Sequence, residues 1–212
     1  MSVILSGKNV EVQEKECDTI LEVARDAASA HTATDWHWVT ERGCIFEALP
    51  SSVGPLVACS QPEFVKHRSA WPLSRKTCDI IFASSLKNLV VELLGREACI
   101  FNDQYIIKPP HAGELSAFPW HQDSNWLREC DVEVQPYLSA WIALDDMMED
   151  MMLTIPAGTL VIMSSTLMHS SLPNISNHLR RAWMPQFSAR PIVNCKTGVP
   201  LALAVLLINE GS

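Results

Sequence analysis

Short segments with the composition of β-strands fill most of the second half of the chain. Residues 98–108, 137–144, 158–163 and 180–189 are rich in β-branched or aromatic residues, and proline, glycine and polar residues separate them. Residues 201–208 have the composition of a further strand. Successive short strands joined by turns pair as antiparallel sheets, and each sheet must bury one face against another layer. The pattern therefore predicts an antiparallel two-sheet sandwich.

Helical patterns precede these strands. Residues 14–30 carry apolar side chains at helical spacing, with charged residues between them. A second helix is marked more fully, because Ser84 or Ser85 can cap it, an apolar stripe follows, and Gly95 stands where a helix ends. The fold class that we predict is mainly β with flanking helices.

The domain organisation is expected to be simple. No repeat, low-complexity tract or long charge run divides the chain, so residues 1–212 are predicted to form one domain. Within it, we expect a mainly helical supporting region over residues 1–95 and a β core over residues 96–208.

Charge and cysteine content exclude several classes of protein. The chain has 16 Lys and Arg against 24 Asp and Glu, a net charge of −8, which argues against a nucleic-acid partner. Its apolar runs are too short to cross a bilayer, and its first residues lack the pattern of a signal peptide. The seven cysteines are scattered, with no C-x-x-C pair, and are predicted to be reduced thiols. We expect a cytoplasmic protein without a membrane partner.

The segment around His121 and Asp123 carries the first chemical signal. In an extended strand, residues i and i+2 point to the same side, so the imidazole and the carboxylate can meet at one point. Nitrogen and oxygen donors of this kind suit a divalent iron, manganese or zinc ion. Taken alone, the pair is equally explained by a surface histidine beside an aspartate in a turn.

His169 supplies a third donor of the same kind. It follows the predicted strand 158–163 and lies among serines, so a half-buried histidine that bonds its neighbours is the simpler explanation. Combined with His121 and Asp123, however, it completes the two-histidine, one-carboxylate set of non-haem Fe(II) oxygenases. That set leaves metal positions open for a chelating co-substrate and O2.

Arg180 and Arg181 follow His169 in the next predicted strand. Adjacent residues of a strand face opposite ways, so only one of the two can point inward. An inward guanidinium can hold a carboxylate through two charge-assisted hydrogen bonds, which an iron enzyme with a dicarboxylate electron donor requires. A solvent-facing basic pair, or an ion pair with an acidic residue, is the alternative.

Four motifs occur in a fixed order over residues 95–190. They are Lys108-Pro109-Pro110, Trp120-His121-Gln122-Asp123, Trp141-Ile142-Ala143-Leu144-Asp145-Asp146, and His169-Ser170-Ser171-Leu172-Pro173-Asn174 with Ser176 and Arg180-Arg181. Together they resemble the phytanoyl-CoA dioxygenase family. The resemblance implies an Fe(II)/2-oxoglutarate-dependent dioxygenase built on a double-stranded β-helix, the jelly-roll core of cupin-like folds.

The resemblance also implies roles for individual residues. His121, Asp123 and His169 would be the catalytic iron ligands. Arg180, rather than Arg181, falls at the family's spacing for holding the far carboxylate of 2-oxoglutarate. The remaining co-substrate positions fall on Ser171, Gln104 and Trp141, although a tryptophan that only packs in the core is almost as good an explanation of Trp141.

The implied reaction uses Fe(II), 2-oxoglutarate and O2 and releases succinate and CO2. Halogenating relatives have a small residue in place of the carboxylate ligand, whereas this chain has Asp123. The resemblance therefore favours hydroxylation, desaturation or ring chemistry over halogenation.

The substrate is expected to be a small, largely apolar metabolite, for example an intermediate of natural-product biosynthesis. Trp120, Trp126 and the methionines of 147–152 are candidates for an apolar substrate mouth, or for ordinary packing. An acyl-CoA is a weaker candidate, because the chain is acidic and its conspicuous basic residues cluster only at 66–68.

One departure from the family pattern leaves alternatives open. The family has a long excursion between its tryptophan strand and its second histidine, whereas only residues 147–156 stand here before Ala157. A missing lid would leave a catalytically impaired binding protein, since such loops close many active sites. A zinc hydrolase is a further alternative, although it has no evident use for Arg180.

Overall fold

The computed structural model describes residues 2–4, 10–15, 17–18, 37–39, 44–48, 56–60, 79–111, 117–133, 135–147, 155–200 and 204–208. Residues 10–15 and 17–18 are helical, and the rest of the helix expected over residues 14–30 lies outside the described residues. No helix within the described ranges has both the length and the apolarity needed to span a bilayer.

Helix α1 runs over Ser84–Leu94, as its apolar stripe predicts. It ends at Gly95, whose φ of 97° lies in the region that favours glycine and whose N–H donates to Val91 O at 2.8 Å. The predicted serine cap is wrong. Ala83 is the N-cap residue and no side chain caps the helix. A helical turn at 79–81 precedes α1, and Ser84 is already the first residue of the helix.

Strands account for most of the remaining described chain. In chain order they are β1 (Ser2–Ile4), β2 (His37–Val39), β3 (Cys44–Ala48), β4 (Leu56–Ser60), β5 (Cys99–Lys108), β6 (Phe118–His121), β7 (Tyr137–Ala143), β8 (Thr159–Ser164), β9 (His169–Ser171), β10 (Arg180–Ser188) and β11 (Val205–Leu206). The predicted strands correspond to β5, β7, β8, β10 and, in part, β11. Strands β1 to β4 were not expected, because residues 1–95 were predicted to be mainly helical.

The described strands form two antiparallel sheets. The main sheet has the order β1-β8-β7-β10-β5-β4-β3-β2, with β11 paired to β5, and the second sheet consists of β6 and β9. Strands β10 and β5 pair along almost their whole length, from Arg180 opposite Lys108 to Ser188 opposite Cys99. The prediction of a mainly β, antiparallel fold is confirmed.

The two faces of the main sheet have different surroundings. One face packs against α1 in the principal core, where Tyr105, Ile142 and Trp183 are fully buried beside Leu86 and Val90 of the helix. Side chains alternate along each strand, so the residues between these point the other way. That second face, together with β6 and β9, lines a cavity.

Backbone pairing joins the two ends of the connection between β7 and β8. Met147 and Ile155 pair through two backbone hydrogen bonds, of 2.9 and 3.2 Å, and the Asp146 carboxylate accepts a bond of 2.8 Å from the N–H of Ala157. Residues 148–154, which include most of the methionines proposed for a substrate mouth, lie outside the described residues. Met147 and Ile155 are thus paired although only seven residues separate them in the sequence, where a long excursion would be the alternative.

Candidate active site

The second sheet brings the two histidines together. His121 is the last residue of β6, His169 is the first residue of β9, and the two are direct cross-strand partners. Residues opposite each other on one face of an antiparallel pair are neighbours in space. The histidines are consequently adjacent in space although they are distant in the chain.

Asp123 joins them from the start of a 3-10 helix (Asp123–Glu129). The i, i+2 spacing predicted His121 and Asp123 on one strand, but β6 ends at His121. The residue between them, Gln122, is still extended, with φ −112° and ψ 134°, so both side chains point to the same side. Asp123 Oδ1 lies 3.6 Å from His121 Nε2 and 3.3 Å from His169 Nε2. The donor atoms of the three residues all lie within 4.8 Å of one another.

Backbone carbonyls orient both imidazoles. His121 Nδ1 lies 2.7 Å from Pro119 O, and His169 Nδ1 lies 3.0 Å from Leu167 O. A carbonyl oxygen only accepts hydrogen bonds, so each Nδ1 carries a proton and each Nε2 faces the centre of the cluster, where the unprotonated nitrogen can bind a metal ion. This is the arrangement in which histidine binds a metal ion.

A chain of side-chain hydrogen bonds supports Asp123 from the main sheet. Ser139 Oγ donates to Asp123 Oδ2 at 2.5 Å, Gln186 Nε2 donates to Ser139 Oγ at 2.9 Å, and Asn102 Nδ2 donates to Gln186 Oε1 at 2.9 Å. Ser139 and Gln186 are buried. The hydrogen bond from Ser139 occupies Asp123 Oδ2, and Asp123 Oδ1 is left facing the histidines. No motif of the sequence predicted a role for Ser139, Gln186 or Asn102.

Protonation follows from these contacts. Burial by itself raises the pKa of Asp123, but the hydrogen bonds with His169 and Ser139 and the nearby imidazoles outweigh it, and the net pKa is lowered. The hydrogen bond with Asp123 raises the pKa of His169. The carboxylate is thus held in its ionised form, which is the form that binds a cation.

The structure separates the roles of the two arginines. Arg180 lines the cavity, and its Nη2 donates to Ser171 Oγ at 2.8 Å and to Leu172 O at 2.7 Å. Arg181 points the other way and forms an ion pair of 2.7 Å with Asp145, with a further pair of 2.8 Å to Asp18. Strand alternation had left open which arginine points inward, and Arg180 is the one that does.

The loop between β9 and β10 is held by Asn174, which is only 3% exposed. Its amide donates to the carbonyl oxygens of Lys108 and Pro109 at 3.0 Å and of His178 at 2.7 Å, and its Oδ1 accepts from the Ser176 hydroxyl at 2.8 Å. This part of the family motif therefore ties the end of β9 to the end of β5.

The cavity beside the cluster has a volume of about 500 Å³. Gln104 and Trp141, the two positions assigned to the co-substrate pocket, both line it. Its walls are otherwise mostly apolar, formed among others by Ile106, Met147, Ile155, Val161, Leu167 and Met184. The polar cavity residues are the histidine–aspartate cluster, Gln104, Lys108, Ser170, Ser171 and Arg180.

The tryptophans proposed to bind substrate are less well placed. Trp120 is 67% exposed and does not line the cavity, because its neighbour His121 faces inward and adjacent strand residues face opposite ways. The side chain of Trp126 lies outside the described residues. The basic residues at 66–68 also lie outside them.

A sequence profile of the family named phytanoyl-CoA dioxygenase (PhyH) matches residues 12–151, more than half of the chain. The chain belongs to the phytanoyl-CoA dioxygenase family. The family consists of Fe(II)- and 2-oxoglutarate-dependent oxygenases, so this member is an enzyme of that class. The predictions of family, enzyme class and cofactors are confirmed. No curated protein sequence matches the chain.

Solved structures share the fold of this phytanoyl-CoA dioxygenase family member. SnoK, a non-heme α-ketoglutarate-dependent carbocyclase from nogalamycin biosynthesis, is 13% identical, with a TM-score of 0.64 over 95% of this chain and 88% of that one. EctD from S. alaskensis, solved with 2-oxoglutarate and 5-hydroxyectoine, is 17% identical, with a TM-score of 0.62 over 99% of this chain and 82% of that one. ThoJ, a non-heme monooxygenase in a nickel complex, is 16% identical, with a TM-score of 0.60 over 98% and 80%. The predicted jelly-roll core is thereby confirmed.

Proposed function

We propose that this oxygenase hydroxylates a small, largely apolar metabolite at an iron ion held by His121, Asp123 and His169. Arg180 and Ser171 bind the far carboxylate of 2-oxoglutarate, beside Gln104 and Trp141. One observation carries the proposal: the three donor groups, within 4.8 Å of one another, share a cavity with an inward-facing guanidinium.

The donor set fits Fe(II). Two imidazole nitrogens with fixed tautomers and one ionised carboxylate oxygen face a common point, which is the ligand set of non-haem iron oxygenases. The hydrogen bond from Ser139 keeps the second carboxylate oxygen away from that point. When bound, iron, 2-oxoglutarate and O2 supply the oxidising power, with succinate and CO2 as the co-products.

The chain positions the co-substrate through Arg180. Its guanidinium donates to Ser171 Oγ and Leu172 O, which hold it in place at one end of the cavity. A guanidinium binds a carboxylate through two parallel hydrogen bonds, which fix orientation as well as position. Ser171 stands two residues after His169 on β9, so its hydroxyl lies on the same side of the strand as the proposed ligand.

The cavity walls support the proposed substrate class. The whole cavity, including the part assigned to 2-oxoglutarate, has a volume of about 500 Å³, which is in the range of small-molecule sites. Side chains such as Ile106, Ile155 and Leu167 exclude water and give no hydrogen bonds to a polar substrate. A largely apolar metabolite matches these walls, and the carboxylate of Asp123 favours hydroxylation over halogenation.

The cellular context belongs to the same proposal. The described cysteines, 17, 99, 130 and 195, are all free thiols, which is expected in a reducing, cytoplasmic compartment. The partner is a small molecule, with no nucleic acid or membrane. We also propose that residues 1–212 form one domain, because residues 1–95 supply both α1, which packs on the main sheet, and four strands of that sheet, β1 to β4.

Anaerobic titration tests the site. Fe(II) and 2-oxoglutarate added to the metal-free protein should produce the charge-transfer absorption band of the chelated co-substrate. Exposure of the complex to O2 should then yield succinate even without substrate, at a low rate. If the protein binds zinc but shows neither the band nor succinate, the oxygenase assignment of this site is wrong.

Succinate formation also tests the substrate class. Small apolar metabolites should stimulate it above the uncoupled rate, with hydroxylated products detected by mass spectrometry. Matched analogues that carry a phosphate or a carboxylate should stimulate it much less. A stronger response to acyl-CoA esters than to the free apolar compounds would overturn the proposed substrate class.

A further inference from the structure

Lys108 is a charged cavity residue to which the proposed function gives no role. It is the last residue of β5 and only 2% exposed. Its Nζ donates to Ser171 Oγ at 2.9 Å, to Leu172 O at 2.8 Å and to Ser171 O at 3.2 Å. The ammonium also lies 4.8 Å from the centre of the Phe118 ring.

Lys108 and Arg180 bind the same two acceptors. Both donate to Ser171 Oγ and to Leu172 O, at distances between 2.7 and 2.9 Å. The two residues are also direct cross-strand partners in the pairing of β5 with β10. Two positive groups are therefore held side by side at the end of the cavity that contains Ser171.

The two like charges repel each other, and the ammonium of Lys108 is also buried. Like charges directly opposite each other destabilise a sheet, and a buried ammonium loses its hydration. Within the described ranges, no carboxylate forms an ion pair with Lys108. Burial, and then the charge of Arg180, lower the pKa of Lys108 to about 7, and burial lowers the pKa of Arg180. A carboxylate bound at Lys108 would offset the cost of burying its ammonium.

We infer that Lys108 is a second cationic co-substrate residue, which together with Arg180 binds the far carboxylate of 2-oxoglutarate. The inference rests on the proposed function of the cavity. Ser171 lies between the two cations and bonds both, so one carboxylate placed at Ser171 reaches all three groups. The site thereby selects a dicarboxylate over a 2-oxo acid with an apolar end.

A purely structural role for Lys108 is the competing explanation. The ammonium could serve only to brace the end of β9 through the carbonyls of Ser171 and Leu172. Lys108→Gln separates the two roles, because an amide can still donate hydrogen bonds but carries no charge. Lys108→Met removes both.

The test compares two ligands in anaerobic titrations with Fe(II). 2-Oxopentanoate has the length of 2-oxoglutarate but lacks the far carboxylate. In Lys108→Gln and Lys108→Met, the Kd of 2-oxoglutarate should rise by about 10- to 100-fold, the loss expected for one charge-assisted bond. The Kd of 2-oxopentanoate should stay within about twofold of the original protein, since it never contacts the ammonium.

Controls make the outcomes distinguishable. Lys87→Met removes a lysine from α1, on the other side of the main sheet, and should change neither Kd. An unchanged Kd for 2-oxoglutarate in Lys108→Gln, or an equal rise for both ligands, would overturn the inference and leave the proposed function intact. Failure of the original protein to bind 2-oxoglutarate with Fe(II) would instead overturn the proposed function.

Discussion

His121 and His169 stand directly opposite each other in the two-stranded sheet, with their imidazole rings 4.3 Å apart between centres. The proposed iron centre is therefore built on a strand pair rather than on a loop. Strand pairing fixes the distance between the two rings, and the carbonyls of Pro119 and Leu167 fix which nitrogen faces the metal. A site of this kind is preorganised before iron binds, so loss of one donor should affect metal binding more than folding.

Removal of either histidine should abolish the metal centre. His121→Ala and His169→Ala each remove one of three ligands, and we expect no charge-transfer band and no succinate formation. Anaerobic titration with Fe(II) measures this directly. His178→Ala, at an exposed position outside the cavity, should retain both signals. A normal band in His169→Ala would exclude that residue as a ligand.

The hydrogen-bond chain behind Asp123 should tune iron affinity. Ser139→Ala removes the donor to Asp123 Oδ2, and Gln186→Leu removes the support of Ser139. Loss of such supporting bonds typically lowers metal affinity by about 10- to 100-fold. Competition with a chromophoric chelator gives the Fe(II) Kd. Ser164→Ala, at the exposed end of β8, is the control and should leave the Fe(II) Kd unchanged. If Ser139→Ala and Gln186→Leu bind Fe(II) as tightly as this control, the hydrogen bonds behind Asp123 do not affect metal affinity.

The two arginines should give opposite phenotypes. In Arg180→Gln, the Kd of 2-oxoglutarate should rise by about 10-fold or more, because the charge-assisted bonds are lost, with little change in Tm. In Arg181→Gln, which breaks the ion pairs with Asp145 and Asp18, Tm should fall by a few degrees while the Kd stays within about twofold. Weakened co-substrate binding in Arg181→Gln alone would reverse the assignment.

Lys108 should make the stability of the ligand-free protein depend on pH. Its pKa is lowered from 10.5 to about 7, first by burial and then by Arg180, which stays charged throughout this range. Between these pH values the unfolded chain binds more protons than the folded protein. The free energy of unfolding therefore increases as the pH rises from about 7 to 10.5. Denaturant unfolding of the ligand-free protein at pH 7 and pH 10, compared with Lys108→Met, isolates this contribution from that of other titrating groups.

The change in unfolding free energy between pH 7 and pH 10 should differ between the original protein and Lys108→Met. The increase in unfolding free energy between the two pH values should be larger in the original protein than in Lys108→Met. Saturating 2-oxoglutarate and Fe(II) should reduce the difference, because a bound carboxylate restores the pKa of the ammonium towards its ordinary value. Identical pH dependence in the two ligand-free proteins would show that Lys108 does not titrate in this window.

Local patterns predicted the strands of the β core and the three side chains that the structure brings together, His121, Asp123 and His169. The alternation of residues in 137–144 already placed Ser139 and Trp141 on one face, and both lie on the cavity side of the main sheet. The helix cap at Ser84 and the strand position of Asp123 were wrong, because neighbouring turns determined the backbone there. Strands β1 to β4 were missed, since short segments with weak periodicity acquire their structure from pairing.

The amino-acid sequence by itself determined which groups are present: two histidines and an aspartate in the order of an iron site, two adjacent arginines, and strands short enough to form a jelly roll. Only the tertiary structure decided which of them meet. It turned Arg180 towards Ser171 and Arg181 towards Asp145, placed Lys108 beside Arg180, and connected Asp123 to Asn102 through Ser139 and Gln186. The physical reason is that side-chain chemistry and periodicity are local properties, whereas register between strands distant in the chain depends on the packing of the whole sheet.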